Sequence, residues 1–278
     1  MHRLTQWGQW MKQIRTQTRT LIKRHISVLA AVFSVVACMA STPVARADQK
    51  PLVVGVDTAF MPFEFMQDGV YVGFDIDLWK AIAAKNGWQY RIQPMDFTGL
   101  IPALQTRQLD AALAGIAIND KRRQAVDFSA PYYNSGLSAL VRSNVADVPS
   151  VMDLNGKHIA AKTGTATIDW IKQHLPKSKI TQFPNVDQAY MALDAGRVDA
   201  AMHDTPNVEY YAHTSGKGRV KVVGEPVAGD QYGIAFPKNS PLVAQVDTAL
   251  HAIQADGEYA QIYRKWFGKD PAPQKAVE

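Results

Sequence analysis

The chain has 278 residues, a formal net charge of +5 and a single cysteine, Cys38. Seven of the basic residues and none of the acidic ones fall within residues 1–47, so the rest of the chain carries 23 basic against 25 acidic side chains. A nucleic-acid-binding domain needs a basic face on the folded protein, and this charge balance excludes one. With no second cysteine, the fold cannot use an internal disulfide and must depend on its apolar core.

The amino-terminal segment up to residue 47 is a predicted secretory signal peptide. Residues 1–25 hold six basic and no acidic side chains, residues 26–40 are uncharged and apolar, and an Ala-Arg-Ala sequence follows at 45–47. This order of basic, apolar and small residues is typical of such peptides. The apolar run is about 15 residues, short of the roughly 20 needed to span a bilayer. The sequence therefore predicts export to the periplasm; a retained anchor, or acylation at Cys38, is the alternative.

Patterns of buried strands and amphipathic helices alternate from residue 52, which is typical of an α/β fold. The predicted strands cover residues 52–56, 89–92, 111–114, 157–161 and 198–202. The predicted helices cover residues 74–85, 98–106 and 167–174, with others capped by Asn185, following Pro206 and opened by Ser240 and Pro241. A second series of strands and helices starts near Gly136, and residues 269–278 form a predicted unstructured tail.

Polar and aromatic side chains recur directly after the predicted strands. In open α/β sheets, ligands bind beyond the carboxyl ends of the strands, so these segments are the candidate site. Their candidate residues are Asp57, Phe60, Phe97, Gly115, Ile116, Ala117, Arg122, Lys162, Ala166, His203 and Asp204. Each has a purely structural alternative: Asp57 as the end of a strand, the two Phe as core residues, Arg122 as an exposed side chain, and Asp204 as a helix cap.

The chemistry of this set matches an amino-acid zwitterion. The guanidinium of Arg122 offers a planar fork for a carboxylate, and free amides at a helix amino terminus add to it. Asp204 can accept hydrogen bonds from an ammonium group, and the two Phe suit an aliphatic stem. Sequence motifs for a metal site, a P-loop, a nucleophile elbow or a dinucleotide fold are absent, and His203 has no nucleophile nearby in sequence. We therefore expect binding without catalysis, with no cofactor and no metal.

Residues from about 52 to 268 resemble the glutamine-binding periplasmic proteins within family 3, the polar amino-acid family of ABC-transporter solute-binding proteins. The matching stretches are DTAFMPFEF from Asp57, YVGFDIDLW from Tyr71, PMDFTGLIPALQT from Pro94, FPNVDQAYM from Phe183, HDTPN from His203, QYGIAFPK from Gln231 and EYAQIYRKWFG from Glu258. The likeness covers nearly the whole chain after the signal peptide.

The resemblance implies the two-lobed α/β fold of type II periplasmic binding proteins, whose lobes are joined by two crossing hinge strands. One lobe would combine residues 52–131 with 233–268, and the other would span residues 137–227. The hinges would lie near residues 132–136 and 228–232. The linear pattern of strands and helices alone does not give this discontinuous division.

The resemblance also implies a role for each site residue. Arg122, with the amides of Ala117 and Ala166, would hold the ligand carboxylate, while Asp204 and the Gly115 carbonyl would take the ammonium group. The remaining roles are a sandwich of the stem by Phe60 and Phe97, and recognition of the side-chain amide by Asp57 and Lys162 with His203 close by. Two positions depart from the family pattern: Ala117 replaces the usual Thr, and Ala166 replaces the Gly of the glutamine binders.

The expected function is that of a periplasmic solute-binding protein, not an enzyme, that delivers L-glutamine to an inner-membrane ABC permease. Another polar amino acid, glutamate or asparagine, is the alternative ligand. An enzyme similar to cyclohexadienyl dehydratase is the alternative on the same fold. The expected form is a monomer whose partners are the amino acid and the permease, without nucleic acid.

Overall fold

The computed structural model describes residues 50–271, so the predicted signal peptide and residues 272–278 of the predicted tail lie outside the described residues. The first half of the described chain contains β1 (Leu52–Asp57), β2 (Phe65–Gln67), β3 (Val70–Val72), α1 (Phe74–Asn86), β4 (Tyr90–Met95), α2 (Phe97–Gln105), β5 (Ala111–Ala112), α3 (Asp120–Ala125), β6 (Asp127–Phe128) and β7 (Tyr133–Arg142). After a 3₁₀ turn at Val151–Leu154 come β8 (His158–Lys162), α4 (Ala166–His174), β9 (Lys179–Phe183), α5 (Val186–Asp194), β10 (Ala200–Asp204), α6 (Thr205–His213), β11 (Val220–Tyr232), β12 (Ala235–Phe236), α7 (Leu242–Ala255) and α8 (Glu258–Phe267).

Two five-stranded sheets organise these elements. The first has the order β4-β1-β5-β12-β6, with β1 parallel to β4 and β5 and with β12 antiparallel to its neighbours. The second has the order β11-β7-β10-β8-β9, with β8 parallel to β9 and β10. The chain crosses from the first sheet to the second between β6 and β7, and it returns between β11 and β12. The two-lobed α/β architecture is therefore present as predicted.

The two crossings run side by side. β7 and β11 pair antiparallel, and the residues nearest the first sheet are in register as Tyr133 with Tyr232 and Ser135 with Asp230. The amide of Tyr132 also donates to the Tyr232 carbonyl at 2.9 Å. The lobe limits, and the hinge role of the segments around these residues, stay predictions.

The helix patterns in the sequence correspond to buried faces. In α1 the side chains of Leu78, Trp79 and Ile82 are almost fully buried, and they belong to one core cluster with Val246 and Leu250 of α7. Full burial of such a side chain stabilises the fold by roughly 1.5–3 kcal/mol. A separate cluster that includes residues from α4, β8 and β10 fills the second lobe.

Aromatic side chains fill the space beside the crossings. The Phe63 ring lies 5.0 Å from the Tyr133 ring in an edge-on arrangement, and Tyr133 stacks on Tyr232 at 5.5 Å. Phe60 in turn stacks on Phe63 at 4.9 Å. Such ring pairs add about 0.5–1.5 kcal/mol beyond their buried area. The crossing segments are thus packed against the first lobe by rigid side chains.

Three local features differ from the sequence predictions. β5 ends at Ala112, two residues early, and β4 continues to Met95 through Pro94. Proline is tolerated there because β4 is an edge strand, whose outer face needs no ladder donor. Asn185 precedes α5, but its side chain makes no capping hydrogen bond; instead its Nδ2 points to Thr58 Oγ1 at 3.5 Å.

The glycine that precedes α1 lies directly against the backbone of Phe63. Gly73 has φ +138°, and a Cβ there would lie 1.9 Å from the Phe63 carbonyl oxygen. We expect Gly73→Ala to lower the free energy of unfolding by about 3 kcal/mol or more, because only glycine tolerates this backbone region and the obstacle is backbone. For a chain of this size the melting temperature should fall by roughly 10 °C.

Gly69→Ala is the matched control. Gly69 also has positive φ, +82°, but a Cβ there meets nothing within 4 Å, so the expected loss is only about 1–2 kcal/mol. Equal losses for the two variants in chemical denaturation would show that the contact with Phe63 is not the cause.

Candidate functional site

A cavity of about 20 Å³, taken as the space open to the centre of a water molecule, lies between the two lobes. It opens at the carboxyl ends of β1, β8 and β10 and at the segment after β5. The lining residues are Asp57, Phe60, Phe97, Ala114, Gly115, Ala117, Arg122, Lys162, Thr165, Ala166, His203 and Asp204. Ten of the eleven predicted site residues are among them. The structure therefore brings together side chains that are up to about 150 positions apart in the sequence.

The exception is Ile116, which is buried in the core of the first lobe and whose carbonyl accepts a hydrogen bond from the Gly233 amide at 3.1 Å. Two lining residues, Ala114 and Thr165, were not predicted. Thr165 Oγ1 donates to the Lys162 carbonyl at 2.8 Å. The position of Thr165 just before α4 could have indicated a site residue, whereas nothing in the sequence distinguishes Ala114, which follows β5.

Arg122 is buried beside the cavity, with 9% of its surface exposed, so the alternative of an exposed side chain is wrong. Asn119 Oδ1 accepts from the Arg122 amide at 2.9 Å and fixes the start of α3. The guanidinium donates to the carbonyls of Ala117 at 2.9 Å and Gly164 at 3.2 Å. Burial lowers the pKa of Arg122, and the charge of Asp204 opposes this shift. Among the described residues, no carboxylate forms an ion pair with this guanidinium.

Asp204 supplies the opposite charge. Its Oδ2 accepts a hydrogen bond from the Tyr232 hydroxyl at 2.5 Å, and its backbone amide donates to His203 Nδ1 at 2.6 Å. The side chain makes no capping hydrogen bond to α6, so the helix-cap alternative does not apply. Within residues 50–271 no lysine or arginine pairs with this carboxylate. A positive and a negative group thus line one cavity without neutralising each other.

Asp57 and Lys162 form an ion pair across the cavity. Asp57 ends β1 in the first lobe, Lys162 ends β8 in the second, and both side chains are almost fully buried. The Asp57 Oδ1 also accepts from the Thr58 amide at 2.7 Å. A buried pair of this kind adds little to stability, because desolvation offsets the attraction. The pair instead presents a donor and an acceptor with no net charge.

Aromatic rings form the apolar walls. Phe60 is buried and belongs to the core cluster as well as to the cavity, so both interpretations of this residue hold. Its ring lies 5.4 Å from that of His203. Phe97 lies 5.3 Å from the Arg122 guanidinium carbon and 5.7 Å from Lys162 Nζ. These rings leave an apolar space between the two charged ends of the cavity.

The second ring nitrogen of His203 is a potential donor. Because Nδ1 accepts from the Asp204 amide, the neutral ring carries its proton on Nε2. This Nε2 is buried and has no hydrogen-bond partner in the described part of the chain. A ligand oxygen reaching this wall would satisfy it.

Two buried carboxyl groups lie behind the cavity, and neither was predicted as a functional residue. Asp75, in the first turn of α1, accepts hydrogen bonds from the Tyr132 hydroxyl at 2.9 Å and the Gly115 amide at 3.3 Å. Burial raises the pKa of Asp75 to about 7. Burial, and then the charge of Asp75, raises the pKa of Glu64 well above its ordinary value. An acidic residue between apolar ones, as in Phe63-Glu64-Phe65, was the only signal in the sequence.

The model of the bacterial extracellular solute-binding proteins, family 3, matches residues 52–269. The chain belongs to this family. Its curated relatives include an L-arginine-binding protein of Pseudomonas aeruginosa, which is 31% identical over 87% of this chain and 97% of the relative. They also include the ABC transporter glutamine-binding protein GlnH of Bacillus subtilis, which is 32% identical over 81% of this chain and 84% of the relative.

Solved structures give the same family and confirm the fold. An ancestral arginine-binding protein bound to arginine is 39% identical, with a TM-score of 0.76 over 79% of this chain and 99% of its own. An ancestral arginine-binding protein bound to glutamine matches equally well, at 39% identity and a TM-score of 0.76 over 80% of this chain and 99% of its own. The ancestral amino-acid-binding protein AncCDT-1, described as a precursor of cyclohexadienyl dehydratase, is 37% identical, with a TM-score of 0.72 over 78% and 95%.

In the part of the chain that the structure describes, no helix has the length and apolar character to cross a membrane. The same residues contain no group of three or more His, Cys, Asp or Glu side chains arranged to hold a metal ion.

The pKa of Glu64 leads to a prediction about stability without ligand. An acid whose pKa is raised on folding stabilises the fold below its unfolded pKa of about 4.3, and this contribution is lost as the pH rises toward the folded pKa. Glu64→Gln removes that loss. Between pH 5 and 7 we therefore expect the slope of the free energy of unfolding against pH to be more positive in the variant than in the original protein, by up to about 1.4 kcal/mol per pH unit.

Urea denaturation at several pH values measures this slope. Glu225→Gln is the control, because Glu225 is exposed on β11. Its replacement should give the same slope as the original protein. Identical slopes for all three proteins would contradict the buried, protonated state of Glu64.

Proposed function

We propose that the chain is the periplasmic solute-binding protein of an ABC importer, and that its ligand is a polar amino acid, L-glutamine being favoured. The observation that carries this proposal is the pair of opposite charges in one cavity, Arg122 being buried and Asp204 partly buried. Arg122 has no acidic partner and Asp204 no lysine or arginine partner among the described residues. An unpaired buried charge costs several kcal/mol, and one zwitterion offers a partner to both.

The contacts on each side suit the two ends of an amino acid. At one end Arg122, with the amides of Ala117 and Ala166, would bind the carboxylate, and Ala166 stands at the amino terminus of α4, where anions are favoured. At the other end Asp204 and the Gly115 carbonyl would accept from the ammonium group. Phe60 and Phe97 would enclose the aliphatic stem between them.

The neutral pair of Asp57 and Lys162 favours an uncharged polar side chain. An amide can donate to Asp57 and accept from Lys162, and His203 Nε2 is a further donor. A guanidinium near Lys162 would meet a like charge, which costs about 3 kcal/mol at 5 Å and an effective dielectric constant of 20. A second carboxylate would likewise meet Asp57. Glutamine therefore fits this end better than arginine or glutamate, while asparagine is the shorter alternative.

The relatives support an amino acid as the ligand and leave glutamine as our own inference. Relatives are named for arginine and for glutamine, and ancestral arginine-binding proteins have been solved with each of the two. Ala117 lacks the hydroxyl of the Thr that the family pattern would place there, and Ala166 adds a methyl group where the pattern has Gly. A lost hydroxyl removes one hydrogen bond, worth about 0.5–1.5 kcal/mol, but the backbone donors at both positions are retained.

Transport requires closure around the ligand and delivery to a permease. Contacts already join the lobes near the cavity: Arg122 donates to the Gly164 carbonyl at 3.2 Å, and Asn207 Nδ2 donates to the Met61 carbonyl at 2.6 Å. A ligand held by both lobes would favour the closed form through its higher affinity for that form. The predicted signal peptide and the family of extracellular solute-binding proteins support a periplasmic location, and we propose a monomer that delivers its ligand to an inner-membrane ABC permease. No cofactor, metal or nucleic acid enters the proposed function.

Calorimetry against all twenty amino acids tests the proposal, after unfolding and refolding to strip any ligand carried through purification. We expect glutamine to bind most tightly and Arg122→Ala to abolish binding of every amino acid, because the carboxylate loses its charged partner. Arg123→Ala, which removes the neighbouring exposed guanidinium, should bind normally. Near-normal affinity in Arg122→Ala would contradict the site, and turnover of prephenate or arogenate by the original protein would favour the dehydratase alternative.

Lys162→Met tests the assignment of the side-chain end. Removing the ammonium group leaves the Asp57 carboxylate buried and unpaired, so we expect glutamine affinity to fall about tenfold or more and arginine affinity to rise. Lys157→Met, at an exposed lysine just before β8, should change neither affinity. An unchanged ratio of glutamine to arginine affinity in Lys162→Met would refute the role of the pair in selecting the side chain.

A further inference from the structure

The cavity is backed by a buried acid pair that the proposed binding mode does not use. Asp75 and Glu64 are both fully buried. One oxygen of Asp75 accepts from the Gly115 amide and from the Tyr132 hydroxyl, while its other oxygen and both oxygens of Glu64 have no hydrogen-bond partner in residues 50–271. Burial, and then the charge of Asp75, raises the pKa of Glu64, so the protonation of one acid depends on that of the other.

Asp75 holds a segment of the cavity wall from behind. Its contact with the Gly115 amide fixes the peptide between Ala114 and Gly115, and both residues line the cavity. Gly115 has φ +53°, and a Cβ there would lie 2.4 Å from Phe60 Cε1. The Phe60 ring therefore packs against Gly115 on the cavity side, and the hydrogen bond to Asp75 holds the segment on the core side.

We propose that Asp75, coupled to Glu64, is a positioning residue for the ammonium end of the ligand site, and that its ionised form favours the bound state, so that amino-acid binding releases a proton. This inference rests on the proposed function, because it needs an ammonium group beside Gly115. A buried negative charge behind the Gly115 peptide attracts that ammonium group, and the attraction is lost when Asp75 is protonated.

The other charged groups around the pair set the pH range. Tyr132 and the Gly115 amide face Asp75 directly and favour its ionised form, against the effect of burial. Asp57 and Lys162 act on Glu64 with opposite signs. With the pKa of Asp75 at about 7, a nearby ammonium group lowers this pKa on binding. Affinity should accordingly rise with pH between about 6 and 8.

Calorimetry of the original protein is the first test, with L-glutamine and L-arginine titrated in parallel from pH 5.5 to 8.5. We expect affinity to rise by up to about tenfold per pH unit below pH 7. At pH 7, titrations in two buffers of different ionisation enthalpy should show release of a fraction of a proton. A pH-independent affinity without proton release would overturn the inference. Absence of binding of either amino acid would instead refute the proposed function.

Variants then identify the side chain that releases the proton on binding. Asp75→Asn should bind about ten- to a hundredfold more weakly at pH 8, because a charge-assisted contact is lost, and its affinity should not change with pH. Asp110→Asn is the matched control: Asp110 Oδ2 accepts from the Val53 amide at 2.8 Å in the same lobe, away from the cavity, and this variant should keep the pH profile. A pH-dependent Asp75→Asn would overturn the assignment.

Two further variants keep the inference testable if Asp75→Asn does not fold. Tyr132→Phe removes a donor to Asp75, which raises the pKa of Asp75 and should move the midpoint of the affinity profile to higher pH. His203→Asn removes the histidine at this end of the cavity and should retain the pH dependence, whatever its affinity at pH 8. An unmoved midpoint in Tyr132→Phe, or a flat profile in His203→Asn, would assign the proton elsewhere.

Discussion

A buried positive charge and a partly buried negative charge that do not pair with each other are the constraint on which the structure of this site depends. Arg122 donates to the carbonyls of Ala117 and Gly164, and Asp204 accepts from a tyrosine hydroxyl and is flanked by His203. Each contact satisfies part of a polar group without cancelling its charge. A folded protein tolerates such charges when a ligand or solvent supplies the missing partners. The two charges lie on opposite lobes, so one molecule that pairs with both of them also joins the lobes.

Much of this site follows from the order of residues in the sequence. Apolar runs end where polar side chains begin, so the sequence alone indicates that Asp57, Lys162 and Asp204 lie at or just after strand ends. Asn119 is of a residue type that favours the start of a helix, and its Oδ1 accepts from the amide of Arg122 in the helix that follows. These features are local, because a strand end or a helix start is set by neighbours within a few positions.

The features that the sequence did not reveal are contacts between distant residues. Asp75 meets Gly115 and Tyr132, at separations of 40 and 57 positions, and Tyr232 meets Asp204 at a separation of 28. No periodicity marks such partners, and the discontinuous division into lobes was predicted only through resemblance to a family. Whether Asp57 and Lys162 would bind a ligand or each other also depends on how closely the lobes approach.

The two crossings between the lobes are connected to the site through the same acids. Tyr132, beside the first crossing, donates to Asp75, and Tyr232, at the end of the second, donates to Asp204. Both carboxylates belong to the ammonium end of the proposed site. Under the predicted hinge role of the crossings, a rotation of the lobes would act on the hydrogen bond between Tyr232 and Asp204, because β11 ends beside the first lobe while Asp204 ends a strand of the second sheet. The two tyrosine hydroxyls thus connect the crossing segments to the carboxylates at the ammonium end of the proposed site.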